Sequence, residues 1–222
     1  CKLMFKNESF LISTFLLLVC SLLFYKVMFD DYLFLSSDSI SAKSISYAIE
    51  SESAKNGTYP IWMPWMFGGL PSTHSMQNIS EYYFPHQIIS LIKYTGIPWF
   101  WNFIFHFIFC GLGMFYLLKR IGLGFYPSIF GSMSFMINPW MIVNIVHGHG
   151  SQVMTAAYIP WILYALINLK NKVSYFNFAA LSMLIGLQLQ RGHVQIAYYT
   201  WILMVIFILF QMISYKRKDI TY

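Results

Sequence analysis

Seven residues of this chain stand where their side chains can do chemistry: Asp30, Asp31, Asp38, His147, His149, His193 and Arg191. An aspartate at the end of an apolar run can act as a general base or hold an acceptor hydroxyl in line for attack. Asp30 and Asp31 equally suit plain solvation of a helix end, and Asp38 suits a helix N-cap. Asp38 and Asp31 are the catalytic candidates. His147 and His149 flank Gly148, with Gln152 close behind. They can bond a phosphate or sugar from a glycine-loosened helix end, or simply sit at an interface. Neither Cys, Asp nor Glu neighbours them in sequence, so a metal site forms only if the aspartates fold over them. No cofactor follows from these residues, and a divalent metal stays an open alternative.

Arg191 sits among Gln188, Gln190, His193 and Gln195 at a junction between two apolar runs. Arginine at membrane depth is costly and faces a cavity or an anion. Its forked guanidinium suits a phosphate better than a lysine does. A snorkelling arginine would explain the charge but not the four polar neighbours. The binding candidates are therefore His147, His149, Gln152, Gln190, Arg191, His193 and Gln195. His74, Glu81 and His86 either line a cavity mouth or are solvated. His106 lies inside an apolar run, where a neutral histidine bonded to a neighbouring helix is expected.

The elements that position these groups follow from composition. Of 222 residues, 58% are hydrophobic and 10% charged, whereas a soluble domain carries about a quarter charged residues. The aromatic share of 20% fits lipid-facing walls and interfacial belts. The net charge of +6 does not point to nucleic acid, because the basic residues sit in pairs and triplets between apolar runs. Cys1, Cys20 and Cys110 are too few and too apolar in setting for a disulfide framework or a zinc site.

The expected architecture is all-α integral membrane, with about six transmembrane helices. The runs are Ser9 to Phe29, Pro98 to Leu118, Phe125 to Val146, Val153 to Leu169, Tyr175 to Gln190 and Val194 to Ser214. The fourth and fifth are short, so their ends are expected beside a polar cavity. The first is too long for a signal-peptide core and reads as a retained helix. Lys2, Lys6, Lys119, Arg120, Lys170, Lys172 and the Lys216-Arg217-Lys218 cluster all fall on one side of such a thread. The positive-inside rule makes that side cytoplasmic, with the N-terminus there. Aspartate, histidine, glutamine and Arg191 collect on the other. The chain reads as the N-terminal part of a polytopic domain, with further spans expected beyond it.

The segment 30–97 is then a long extracytoplasmic loop. Ala42, Ile45 and Ile49 fall at helical spacing between Asp38 and Ser53, an amphipathic helix expected on the membrane surface. Asn56-Gly57 signals a turn. Prolines and paired glycines forbid regular helix from Tyr59 to Pro71, whose aromatics suit an interfacial lid. Asn78 to Lys93 is expected to form a second short helix, broken at Pro85.

Tyr59-Pro-Ile-Trp-Met-Pro-Trp-Met-Phe-Gly-Gly-Leu-Pro71, then Gln77-Asn78 and Tyr83-Phe84-Pro85, resembles the first-loop signature of YfhO-type bacterial membrane proteins. Gly192-His-Val-Gln195-Ile-Ala-Tyr198-Tyr199 resembles a second signature of that group. Such proteins are similar to GT-C glycosyltransferases, which take a sugar from a polyprenyl-phosphate donor. The resemblance implies an acidic catalytic residue in the first outer loop, where Asp38 fits best and Asp31 and Asp30 compete. It implies a bacterial inner-membrane setting, a lipid-linked donor and a cell-envelope acceptor. The chain departs from the group in showing no paired acidic motif beyond Asp30-Asp31.

Two functions compete. One is sugar transfer from a polyprenyl phosphate on the outer face, with Asp38 handling the hydroxyl proton and Arg191 facing the lipid phosphate. The other is a non-catalytic flippase or transporter component for lipid-phosphate-linked substrates. A transporter is expected to carry ionisable residues near the midplane on broken helices, whereas here the polar groups cluster at one end.

Overall fold

A computed structural model describes residues 2–30, 32–58, 60–65, 67–72, 83–89, 91 and 94–219. Ten helices and one small hairpin are present among them: α1 (Lys2–Phe29), α2 (Ser37–Asn56), β1 (Trp62–Met63), β2 (Leu70–Pro71), α3 (Phe84–Ile89), α4 (Trp101–Arg120), α5 (Phe125–Met136), α6 (Pro139–Val146), α7 (Gly150–Ala156), α8 (Ile159–Asn171), α9 (Tyr175–Gln190) and α10 (Val194–Asp219). Among the described residues five stretches, not six, are long and apolar enough to cross a membrane: Glu8–Phe29, Trp101–Arg120, Phe125–Val146, Gly150–Asn171 and Val194–Ser214. Leucine, isoleucine and phenylalanine side chains such as Phe10, Leu22, Phe130, Ile202 and Phe210 stand exposed on these helices. A bundle whose surface is apolar all round has lipid for its solvent. The chain is an all-α, multi-pass membrane protein.

Hydrogen bonds at each end of the bundle show how the chain winds. At one end Ser9 Oγ meets Tyr116 Oη at 2.6 Å, Lys119 pairs with Glu8 at 3.3 Å, and Arg120 Nε donates to Asn168 at 2.6 Å. At the other end Trp101 Nε1 donates to the Met28 carbonyl at 3.0 Å. These bonds place the start of α1 with the ends of α4 and α8, and the end of α1 with the start of α4. Glycine lets α4 approach its neighbours closely. A Cβ on Gly111 would stand 2.7 Å from the Leu16 side chain, and one on Gly113 would stand 2.6 Å from Trp161.

The third and fourth spans are interrupted where the sequence suggested continuous helices. The third breaks between α5 and α6, where Asn138 is extended and its side chain caps the Met141 amide ahead of Pro139. The fourth breaks at Ala157 and Tyr158, just before Pro160. Proline withholds an amide from the preceding turn and disfavours helix in the residue before it. The fourth span is also longer than expected, because α7 extends it back to Gly150. α9 has only 16 residues and falls short of the other spans. It nevertheless returns the chain along α8: Asn177 near its start donates to Asn168 O, and Gln188 near its end donates to Thr155 O.

In the loop, α2 is present, but its apolar face is not left for lipid. Ile45 and Ile49 are buried against Met63, with Leu70 packed beside them. β1 and β2 pair antiparallel, Trp62 opposite Pro71 and Met63 opposite Leu70. The segment from Pro60 to Pro71 avoids helix as its prolines and glycines require, and it supplies the floor that α2 needs. Of the helix expected from Asn78 to Lys93, α3 is the described part, with Pro85 in its first turn, where the missing N–H is tolerated; residues 78–82, 90, 92 and 93 lie outside the described residues.

Candidate functional site

Asp38 and His149 meet. Asp38 Oδ2 lies 3.1 Å from His149 Nε2, and both side chains remain about half open to solvent. The local sequence explains the approach. Ser36, not Asp38, caps α2: its Oγ accepts the Ser39 amide at 3.2 Å and touches Ser39 Oγ at 2.8 Å. The cap duty considered for Asp38 is thus taken, and its carboxylate turns outward to the 147–149 turn. Gly148 makes the turn, at φ +87°, and lies against Ser39 so tightly that a Cβ would meet Ser39 Oγ at 2.4 Å. His147 does not join the pair. Its Nδ1 donates to the Val143 carbonyl at 2.9 Å and its ring is exposed.

Arg191 is the other pole of the site. It caps the end of α9, is only 4% exposed, and its guanidinium carbon stacks 4.7 Å from the centre of the Tyr83 ring. Its Nε and Nη2 are buried and reach no hydrogen-bond partner. Among the described residues no carboxylate pairs with it. A buried cation without a counter-charge is expensive, and burial lowers its pKa. An anion would satisfy such a group.

Tyr83 anchors the loop at this point, buried between α4 and the break in the fourth span. Its hydroxyl lies 3.1 Å from His106 Nε2 and also bonds the Tyr158 hydroxyl. His106 Nδ1 is 2.8 Å from the Asn102 carbonyl. A carbonyl only accepts, so Nδ1 carries the proton; in the neutral ring Nε2 accepts from Tyr83, and Tyr83 accepts from Tyr158. His106 is therefore bonded to a loop tyrosine and to its own helix, not to a neighbouring helix. Burial raises the Tyr83 pKa, which keeps its phenol protonated as this chain requires. Neither Tyr83 nor Tyr158 was among the expected site residues. The available signal was a polar ring in an apolar span, His106, which needs a partner from somewhere.

His193 follows Arg191 by two residues and feels the charge of His149. Its ring is half-buried, its Nδ1 has no partner, and burial lowers its pKa, with His149 acting in the same direction. The remaining candidates divide. Gln152 is half-buried just behind His149, whose carbonyl its amide bonds at 3.0 Å. Gln190 accepts the Phe84 amide at 3.4 Å and ties α9 to α3. Gln195 is exposed and donates to Tyr199 Oη at 2.8 Å, one turn along α10. Gln188 is a strut instead: fully buried, it donates to Thr155 O and Thr200 Oγ1, with its own Oε1 unpartnered. Asp30 is exposed at the end of α1. Asp31, His74 and Glu81 lie outside the described residues, as does the side chain of His86.

Among the described residues no three His, Cys, Asp or Glu side chains come together. Asp38 does fold over His149, but two donors do not make a divalent-cation site. No family description, no curated protein and no solved structure matches the chain.

Proposed function

We propose that the chain binds a polyprenyl-phosphate-linked sugar at the end of the bundle that carries Arg191 and transfers the sugar to an acceptor there. The carrying observation is the buried guanidinium of Arg191, with Nε and Nη2 unpartnered, at the same end of the bundle as the half-exposed Asp38–His149 pair. In the step, the acceptor hydroxyl gives its proton to Asp38 while its oxygen forms a bond to the anomeric carbon. The bond from that carbon to the phosphate oxygen breaks, and polyprenyl phosphate leaves with the electron pair. Arg191 meets the charge that develops there. His149 steadies the Asp38 carboxylate before the proton arrives. The resemblance to YfhO-type and GT-C proteins supports this reading, as does a site that a membrane-bound donor reaches without leaving the bilayer. The distribution of lysines and arginines supports a cytoplasmic N-terminus with the site on the outer face, and the resemblance implies a bacterial inner membrane.

Sugar transfer by the purified protein, with Asp38→Asn and Arg191→Gln beside it at matched expression, tests the reading. Transfer by both variants at the wild-type rate would sink it. Cysteines placed at His149 and Lys170 should label from opposite sides of the membrane.

A second reading, a flippase or transporter component, gains from one observation: the third and fourth spans are both broken. Broken spans build midplane sites in transporters. The breaks here hold Asn138 and Tyr158 but no charged side chain, so transfer remains the preferred reading.

A further inference from the structure

Between α3, α4, α8 and α9 lies a cavity of about 340 Å³, to whose wall neither Asp38, His149 nor Arg191 contributes. Ligand pockets run from about 300 to 1,000 Å³, and about 150 Å³ suffices for one benzene. The cavity therefore has room for roughly two rings. Phe105 and Phe109 of α4 face Met183 and Leu187 of α9 across it. Phe105 and Met183 are also exposed on the apolar outer surface of the bundle, so a ligand reaches the cavity from lipid. The polar members of the wall are Tyr83, His106 and Tyr158. Their protons are already assigned. His106 Nδ1 donates to the Asn102 carbonyl, Tyr83 donates to His106 Nε2, and Tyr158 donates to Tyr83. What the chain of bonds leaves over is the lone pairs of the Tyr158 oxygen, to which no described residue donates.

We infer that this cavity binds a neutral, lipid-soluble ring compound with one hydroxyl, a phenol or ring alcohol, which donates that hydroxyl to Tyr158. The chemistry of the leftover group selects the ligand. A phosphate, carboxylate, ketone or ether brings only lone pairs to an oxygen that already has them. An ammonium donates, but the wall holds no carboxylate to offset its charge, and Arg191 already stacks on the Tyr83 ring. Water donates too, yet a buried water needs two to four polar partners, and Tyr158 offers one. The rings of Phe105, Phe109, Tyr83 and Tyr158 favour a flat aromatic or fused-ring body, which gains from stacked and edge-on contacts. Met183 at the mouth is flexible and polarizable, and it packs against ring edges. This ligand is separate from the lipid-linked donor, and its site needs no sugar and no catalysis.

The test uses the whole protein in detergent, with β-naphthol as probe and its methyl ether as the match that lacks the donor. Both are compared at equal concentration in the micelle. The rise in melting temperature over a concentration series gives each dissociation constant. β-Naphthol should bind about fivefold more tightly than the ether, the difference that one neutral hydrogen bond makes. Tyr158→Phe keeps the ring and removes the oxygen, so the two compounds should then bind alike. Leu187→Phe fills the interior, and Met183→Trp narrows the mouth from an exposed position that tolerates bulk. Each should weaken β-naphthol about tenfold, and melting without ligand verifies that each variant is folded. Equal binding of naphthol and ether to the wild type overturns the inference, as does a naphthol preference that survives in Tyr158→Phe. So does binding unchanged in the folded Leu187→Phe and Met183→Trp proteins, which would place the probe in the micelle. If a variant fails to fold, the wild-type comparison still decides. None of these variants alters Asp38 or Arg191, so loss of this site and loss of sugar transfer are read separately.

Discussion

The guanidinium of Arg191 lies 4.7 Å from the centre of the Tyr83 ring and pairs with no described carboxylate. The aromatic face supplies part of the attraction that a counter-ion would, about 2 kcal/mol when the pair is desolvated, and leaves the hydrogen-bonding fork idle. A structural arginine would be expected to spend its donors on the protein.

That arrangement separates stability from function at Arg191. Replacing a buried, unpaired charge by an apolar side chain of similar length removes its desolvation cost, which offsets the lost stacking on Tyr83. Arg191→Met should therefore melt no earlier than wild type in a ligand-free thermal unfolding experiment, while losing prenyl-phosphate binding. A large drop in melting temperature without ligand would mark Arg191 as a structural residue.

Asp38 gives the opposite dissection. Its pair with His149 is about half exposed, and exposed pairs contribute about 0–1 kcal/mol. Asp38→Asn should leave the melting temperature within a few degrees and lower transfer by about 10²–10⁴, the range for a lost general base. Equal losses in stability and rate would show that the residue holds the loop rather than the proton.

Gly148→Ala should act on the approach of Asp38 to His149 and leave Arg191 alone. The residue is at φ +87°, and its Cβ would press on Ser39 Oγ at 2.4 Å and on Ser39 backbone at 3.0 Å. The start of α2 must move, carrying Asp38 away from His149. Transfer should fall at least as far as in Asp38→Asn. Binding of a prenyl phosphate, measured by photolabelling of the protein in nanodiscs, should change little, because Arg191 is untouched.

Tyr83→Phe keeps the ring beneath Arg191 and removes the hydroxyl that joins His106 to Tyr158. Leaving those buried groups unsatisfied costs about 1–3 kcal/mol, to be read as an earlier thermal transition. Tyr83→Ala should cost more and release the Phe84 end of the loop, visible as faster amide exchange in α3.

His193 predicts a pH dependence. Burial lowers its folded pKa, while the unfolded value is about 6.5. Above that pH both states are neutral. As pH falls through it, the unfolded chain takes up a proton that the folded ring resists, so stability declines until the folded pKa is passed. The ring is only half-buried, so the effect is modest. His193→Gln should flatten the fall in melting temperature below about pH 6.5. An unchanged slope would place that proton elsewhere.

Much of this was legible in the residues. Charge-poor runs between basic pairs marked the spans, because hydrocarbon tolerates little else, and Val194 to Ser214 falls where it was expected. Arg191 stood out because four polar neighbours are excessive for a snorkelling cation. The meeting of Asp38 and His149 needed the docking of α2 on Gly148, a contact between residues far apart in sequence that local pattern does not carry. The burial of Ile45 and Ile49 was misjudged for a related reason. Helical spacing shows that a face is apolar but not what covers it, and Met63 lies beyond a proline-rich bend. The breaks before Pro139 and Pro160 had a written signal, outweighed by the apolar length around them. The Tyr83–His106–Tyr158 chain had the weakest signal, since its members come from a loop, a span and a helix break.

The 16 residues of α9 have a consequence for the bilayer itself. At about 1.5 Å per residue they supply roughly 24 Å of helix, against about 30 Å of hydrocarbon. A span that is too short is accommodated by local thinning of the membrane around it. Were α9 to cross such a bilayer, that thinning would bring headgroups closer to the helix end that carries Arg191. The depth of the lipid, and not only the shape of the protein, would then set how far an anion must travel to reach Arg191.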